Sequence, residues 1–324
     1  MSAHAEQPHD HGDREHWDRE IDVSVVLPVF NEVEHLDTEL DRIRAGLEAS
    51  PYTFEIIVVD DGSSDGSTEK LRTRDDIRLV EFADNHGSGT ARRVGTAAAR
   101  GEVVVWSDVD MTYPNDQIVR LVEALRGSDQ VVGARTSERG THRFARVPAK
   151  WFIRNLASYL AQRQIPDLNS GFRAFRRDVA VQFLDQLPRG FSCVTTISMS
   201  FLANGYSITY VPIEYAERSG RSKFHWWRDT KRYVTQVVSL AMSYAPLRVF
   251  MPLGLGLLAF GVGKLGFDWV TRDFRLTTNT LLLLVAAFQT ITLGLVADLV
   301  VRVTKRRGLV APASAGASPL RLPR

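Results

Sequence analysis

Residues 103–114 read VVVWSDVDMTYP. An unbroken apolar run rich in β-branched residues suits a strand buried on both faces, and this one ends in two aspartates one residue apart. Side chains two apart on extended backbone point the same way, so Asp108 and Asp110 share a side. Like charges that close disfavour each other's ionisation unless a cation sits between them. Oxygen ligands select a hard divalent ion, and Mg2+ or Mn2+ commonly binds through one or two carboxylates plus substrate phosphates. The stretch therefore reads as a strand end where Asp108 and Asp110 ligate a metal for a phosphate-bearing substrate.

Working outward, VSVVLPV, EIIVVDD, IRLVEF and QVVGAR are further short apolar runs, and helical stretches lie between them. Leu36, Leu40, Ile43 and Leu47 recur at spacings of four, three and four, one stripe of an amphipathic helix. Asp65 and Asn115 precede the next two helical segments as candidate N-caps. Alternation of this kind implies an α/β fold: an open, mainly parallel sheet with helices on both faces. Ligands of such sheets bind at the carboxyl ends of strands, where Asp60, Asp61, Asp108, Asp110 and Arg135 fall. In VVDDGSSDGS, residues 58–67, a strand ends in two carboxylates and a Gly/Ser turn, which offers acceptors to a base and a ribose.

The flanks set the compartment. Residues 1–21 are acidic and histidine-rich with little to bury, and are expected to form a disordered tail. A basic start followed by an apolar core is missing, so no N-terminal signal peptide is expected. The single cysteine, Cys193, excludes an internal disulfide framework and suits a reducing compartment. Residues 249–267 and 280–301 are each long and apolar enough to cross a bilayer core of about 30 Å. Cations lie before the first span and after the second, so the positive-inside rule puts both termini and the catalytic part in the cytoplasm, on the plasma membrane. The expected order is a domain over 22–223, interfacial amphipathic helices over 224–246, a membrane hairpin over 247–304, and a basic, then disordered tail over 305–324. Lys264 is expected to snorkel or to pair with Asp268, and Asp298 to pair with Arg248. Ala259 and Gly263 would permit a homo-oligomer packed through the spans.

Six stretches, VVLPVFNE (25–32), VVDDGSSDGS, SDVDMTYP, GAR (133–135), DLNSGFR (167–173) and ERSGRSK (217–223), together resemble the inverting GT-A glycosyltransferases of family 2. Within it the chain is most similar to the polyprenyl-phosphate sugar synthases of the dolichyl-phosphate mannose synthase type, and the tail resembles their two-span members. The resemblance implies that Pro28, Phe30, Glu32, Asp60 and Asp61 line a nucleotide pocket and that Asp108 and Asp110 hold Mg2+ or Mn2+. It also implies that Arg135, Arg154, Ser158, Arg218, Ser222 and Lys223 hold phosphate, the later ones that of the lipid acceptor. Thr112 departs from the pattern, standing where such synthases usually have a glutamine. The implied partners are a nucleotide sugar such as GDP-mannose or UDP-glucose, a polyprenyl phosphate and the membrane. No nucleic acid is expected.

One absence in the sequence agrees. Relatives that glycosylate hydroxyls need a carboxylate base, yet GFSCVTTISMSFLANG, residues 190–205, contains no acid. A lipid monophosphate, with a second pKa of about 6, is already an anion at pH 7 and needs no base. The activity implied is hexosyl transfer from GDP- or UDP-sugar to a membrane polyprenyl phosphate, with another membrane lipid as an alternative acceptor. A different class competes: HGSGTARRVG, residues 86–95, partly imitates a dinucleotide fingerprint and would make the chain a membrane-tethered NAD-dependent oxidoreductase. Against that, Arg92 occupies the third-glycine position. A noncatalytic scaffold that binds nucleotide sugar is a third reading. Isothermal titration separates them: UDP or GDP is expected to bind only with Mg2+ or Mn2+ present, and NAD binding without metal would favour the oxidoreductase.

Overall fold

The computed structural model describes residues 21–136, 164–216, 245–271 and 277–307, with short pieces at 158–159, 238–239 and 242. The chain divides into two compact units, one holding residues 1–145 and 165–223, the other 146–164 and 224–311.

In the first unit a seven-stranded sheet forms from β1 (Val23–Val29), β2 (Phe54–Asp60), β3 (Arg78–Glu81), β4 (Val103–Trp106), β5 (Gln130–Arg135), β6 (Arg173–Arg176) and β7 (Ile208–Ile213), in the order β3-β2-β1-β4-β6-β5-β7. Strands β3, β2, β1 and β4 are parallel, β6 runs antiparallel to both β4 and β5, and β7 is parallel to β5. The five expected strands are present. Strands β6 and β7 are additions, and β6 makes the sheet mixed.

Alternation along each strand feeds two cores. Val23, Val25, Leu27 and Val29 of β1 and Val103 and Val105 of β4 face α1 (Leu36–Glu48) and α4 (Ile118–Ala124). Val26 of β1 and Val104 and Trp106 of β4 face α3 (Ser88–Ala98) and α6 (Cys193–Ala203). The short helices α2 (Ser67–Arg72) and α5 (Arg177–Ala180) complete the unit. The stripe Leu36, Leu40, Ile43 and Leu47 is buried throughout, each side chain contributing about 1.5–3 kcal/mol. Asp65 is not the N-cap of α2, which is Gly66, but from the position before it its Oδ1 accepts from Ser67 N at 3.0 Å. Asn115 does not cap a helix with its side chain, which turns inward to other partners.

The second unit contains two helices long and apolar enough to cross a membrane, α7 (Leu247–Thr271) and α8 (Thr278–Arg307). Close approach is made through glycines: a β-carbon on Gly254 would stand 2.5 Å from Ile291 Cγ1, and one on Gly294 2.6 Å from Phe250 Cβ. Phe260, Phe267, Val270 and Phe288 point away from the pair and stay exposed, as a lipid-facing surface requires. Lys264 Nζ pairs with Asp268 Oδ2 at 3.0 Å, as expected, and Thr277 and Thr280 donate to the same oxygen at 2.7 and 2.5 Å. Asp298 corrects the other expectation: it accepts from Arg302 Nε at 2.6 Å, one turn along its own helix, instead of pairing with Arg248. The (i, i+4) partner lies on the same face of the same helix, so this pair forms without help from α7. A β-carbon on Gly263 would meet nothing within 4 Å, so that face is not used by the hairpin itself.

Helix α3 crosses the sheet where Gly95 meets Val26 and Val59. A methyl group there would overlap the stiff Val26 side chain, and overpacking costs about 1–3 kcal/mol, against which alanine returns about 1 kcal/mol of helix propensity. Gly95→Ala is therefore expected to lower the thermal unfolding midpoint of detergent-solubilised protein, measured by tryptophan fluorescence.

Candidate active site

The carboxyl edge of the sheet gathers the ends of β1, β2, β4 and β5 and the loop entering β6. Strands β2 and β4 flank β1, so their ends lie two strand spacings apart, roughly 10 Å.

Two loops there are zipped together. The backbone N–H groups of Asn31, Glu32 and Val33, just after β1, donate to Ser63 Oγ, Ser67 Oγ and Asp65 Oδ2 at 3.0, 3.2 and 3.0 Å. Asn31, with φ of 57°, returns the bond by accepting from Ser64 N at 2.8 Å. This leaves Phe30 45% exposed at the mouth, with Pro28 and Glu32 half-buried beside it in sequence. Asp60 and Asp61 are buried and bonded within the chain. Asp60 accepts from Ser63 Oγ and Thr68 Oγ1, whereas Asp61 takes the N–H groups of His86 and Gly87 at 2.7 and 2.8 Å. A carboxylate offers about four acceptor sites, so these bonds do not exhaust either group.

Strand pairing in β4 stops at Trp106, and Met111 has φ of 61°, so Asp108 and Asp110 stand on a turn and not on extended strand. Val109 is buried between them, and Asp108 and Asp110 are each half-buried. Each has a partner within the chain. Asp110 Oδ1 accepts from Thr112 Oγ1 at 2.5 Å, and Asp108 Oδ1 accepts from Arg92 Nη2 at 2.5 Å. Arg92 is fully buried on α3, its guanidinium 5.7 Å from the centre of the Trp106 ring. Burial is the largest influence and opposes its charge, but the Asp108 carboxylate, Cys193 and Tyr113 together hold its pKa above the ordinary value. Arg92 thus supplies Asp108 with a cation from the chain itself, while Asp110 is met by the Thr112 hydroxyl.

The loop 167–172 closes over this pair. Its Gly171 packs tightly against the pair, since a β-carbon would stand 3.0 Å from Asp108 Oδ2 and 3.1 Å from Arg92 Nη2. Gly171 N donates to Tyr113 Oη at 2.7 Å. Asp167 is gripped by Arg135 at the end of β5, Nε to Oδ2 at 2.7 Å and Nη2 to Oδ1 at 3.0 Å, while the Arg135 guanidinium lies 5.2 Å from the centre of the Tyr215 ring. Burial would raise the Asp167 pKa, but the Arg135 bonds hold it below the usual carboxylate range. Arg173 is fully buried and donates to Ser170 O, Val194 O and Ser198 Oγ, and burial pulls its pKa down to about 10, still charged at neutral pH.

Of the residues singled out from sequence, Pro28, Phe30, Glu32, Asp60, Asp61, Asp108, Asp110 and Arg135 all belong to this edge. Ser158 is half-buried and belongs to the second unit. Arg154, Arg218, Ser222 and Lys223 lie outside the described residues, as do the interfacial stretch before residue 238 and residues 1–20 and 308–324, while residues 305–307, expected in the tail, belong to α8. Among the described residues no three His, Cys, Asp or Glu side chains converge as a closed metal cage. Two carboxylates on a turn fit instead an ion that completes its shell with phosphate and water, which is the habit of Mg2+ and Mn2+. Sequence reasoning missed Arg92, Tyr113, Asn115 and Gly171. For Arg92 a signal existed: it falls on the inward stripe of α3 with Gly89, Gly95 and Thr96, and a charge on a buried stripe needs a partner.

The oxidoreductase reading fails on the same helix. The N–H groups of Gly89 and Thr90, which would cradle a pyrophosphate, donate to Arg189 O at 2.7 and 3.2 Å, and those of His86 and Gly87 are taken by Asp61.

Residues 24–184 match the family described as Glycosyl transferase family 2, and residues 245–303 the GtrB C-terminal hairpin. The undecaprenyl-phosphate 4-deoxy-4-formamido-L-arabinose transferase of Pseudomonas fluorescens (strain SBW25) is 32% identical over 254 residues, covering 74% of this chain and 70% of its own. The transferase of the same name from Aeromonas hydrophila subsp. hydrophila is 28% identical over 301 residues, 86% of this chain and 88% of its own. Among solved structures, glucosyl-3-phosphoglycerate synthase from Mycobacterium tuberculosis, in complex with Mn2+, UDP-glucose and glycerol 3-phosphate, shares the fold with a TM-score of 0.54 at 21% identity, over 68% of this chain and 80% of its own. The same synthase in complex with phosphoglyceric acid gives a TM-score of 0.55 at 22% identity, over the same shares of the two chains.

Removing one partner of a buried ion pair costs about 3–5 kcal/mol when both groups are dry, and the 23% exposure of the Asp108 side chain puts this pair near the lower end. Arg92→Met is expected to lose about 3 kcal/mol of stability, read from urea denaturation followed by circular dichroism.

Proposed function

Because the chain belongs to glycosyl transferase family 2, we propose that it transfers a sugar from a nucleotide diphosphate sugar to a polyprenyl phosphate at the membrane surface. The observation that carries this reading is the two-carboxylate turn at the carboxyl edge of the sheet, in a chain that also has a hairpin of membrane-spanning length. Its relatives' names carry the same acceptor class. The oxygen of the lipid phosphate attacks the anomeric carbon, the bond from that carbon to the diphosphate breaks with inversion, and the electron pair leaves with the nucleoside diphosphate. Because the nucleophile is already an anion, no proton has to be removed, and the acid-free helix α6 is consistent with that.

Asp108 and Asp110 would hold Mg2+ or Mn2+, which when bound supplies the charge that stabilises the departing diphosphate. Phe30, Pro28 and Glu32 would line the nucleoside pocket, with Asp60 and Asp61 holding its floor rigid through the Ser63 and His86–Gly87 contacts. Arg135 would steer phosphate while Asp167 fixes its planar fork. Arg154, Ser158, Arg218, Ser222 and Lys223 would receive the acceptor phosphate. Arg248, Arg302 and the basic run 305–307 that ends α8 would put both ends of the hairpin on the cytoplasmic side. The donor sugar is a hexose, as in GDP-mannose or UDP-glucose, or the formamido-arabinose named for the relatives.

The test is an organic-extraction assay in which UDP-glucose, GDP-mannose and UDP-4-deoxy-4-formamido-L-arabinose, each radiolabelled, are offered with undecaprenyl phosphate and Mn2+. One donor is expected to give extractable label, and none doing so would overturn the reading. Asp110→Ala is expected to lower kcat on the order of 10²–10³-fold with an unchanged circular dichroism spectrum, as for the loss of one group that stabilises transition-state charge. Retained turnover in that variant would remove Asp110 from the chemistry.

A further inference from the structure

A buried acid that the proposed chemistry does not use stands behind the metal turn. Glu39, on α1, is fully buried, and its Oε2 accepts from Asn115 Nδ2. Asn115 is fully buried too, and its Nδ2 also donates to Asp108 O at 3.0 Å, while its Oδ1 accepts from Ser107 Oγ at 2.5 Å. Arg42, one turn along α1 from Glu39, donates to Glu39 Oε1 at 3.3 Å and to Tyr113 O at 3.4 Å. Helix α1 therefore reaches both sides of the Asp108–Asp110 turn.

The direction of these bonds matters. An asparagine amide can sit either way round, and its neighbours decide which. The Glu39 carboxylate, paired with Arg42, only accepts, so the NH2 group of Asn115 must face it. The second N–H of that group then points at the Asp108 carbonyl, and the amide oxygen is left for the Ser107 hydroxyl. With the acid removed, the amide could flip and set its oxygen against the Asp108 carbonyl, two acceptors facing each other. The turn needs such a tether, because it leaves the strand at Trp106 and holds Met111 at positive φ, a conformation that its own backbone does not favour.

We propose that Glu39 is a positioning residue for the metal-binding turn, acting through Asn115 to hold the Asp108 backbone where both carboxylates face one ion. This rests on the metal-dependent transferase reading above. Outer contacts that orient ligating groups are typically worth about 10–100-fold in metal affinity.

The experiment measures Mn2+ binding to the full-length protein in detergent, by the electron paramagnetic resonance signal of free Mn2+, with UDP and with GDP. Backbone amide exchange of residues 107–113 is followed in parallel without metal. Glu39→Met keeps the side-chain volume and removes the acceptor. It is expected to weaken Mn2+ binding roughly tenfold or more and to speed exchange across the turn. Glu39→Gln retains one oxygen for the Asn115 amide and is expected to bind Mn2+ within about threefold of wild type, a rescue that lost packing alone would not produce. Asn115→Ala is the second route should Glu39→Met fail to fold, and it is expected to show the same loss. Wild-type affinity in whichever of Glu39→Met or Asn115→Ala folds overturns the assignment while the transferase reading stands. Folded wild-type protein that takes up no Mn2+ with either nucleotide overturns the transferase reading instead.

Discussion

Two carboxylates placed one residue apart at the end of a buried strand set the electrostatic problem that the rest of the catalytic unit answers. Left alone, the pair would repel and the turn would open or take up protons. The fold answers without waiting for a metal: Arg92 faces Asp108, and the Thr112 hydroxyl faces Asp110. A turn so held has its donors arranged before any ion arrives, so little of the binding energy is spent on organising it.

The support comes from both faces of the sheet. Helix α3 brings Arg92 up from the core that it shares with Trp106 and α6, and helix α1 reaches the turn from the opposite core through Glu39, Asn115 and Arg42. The loop entering β6 completes the enclosure with Gly171 and Tyr113. Because β6 runs antiparallel between β4 and β5, the start of this strand, not its end, lies at the active edge, which is how a loop that precedes a strand comes to cover residues that follow one. The site is thus built from rigid elements on three sides, and the mixed sheet is what permits it.

How much of this was legible in the sequence depended on whether the signal was local. The strands β1, β2, β4 and β5 and the stripe of α1 were readable because burial on both faces or on one face imposes a pattern within a few residues. Strand β6, RAFR, has charged residues at both ends and no apolar run, so nothing local distinguished it. Its identity comes from pairing with β4 and β5, residues distant in sequence. The same division holds within the site. Asp108 and Asp110 could be read from their own neighbourhood, whereas Arg92 and Glu39 act from 16 and 76 residues away from the groups they bond. The hairpin was readable from length and hydropathy, yet the partner of Asp298 was not: a pairing drawn between helices lost to one available a single turn along the same helix.

The charge behind the turn also bears on which nucleophile the site can use. Arg92 and Arg173 are both fully buried, and beside them burial holds the Cys193 thiol above its ordinary value although both guanidiniums pull the other way. Arg92 has one carboxylate partner, and every hydrogen-bond acceptor of Arg173 is neutral. Arg173 therefore carries a buried charge met by neutral acceptors alone beneath the loop 167–172. A carboxylate base placed there would be held strongly ionised and would be a poor proton acceptor. The proposed phosphate acceptor, by contrast, would arrive with its nucleophilic oxygen already unprotonated. The acid-free helix α6 agrees with that proposal, in which an anion is brought to an anomeric carbon and none has to be made from an alcohol.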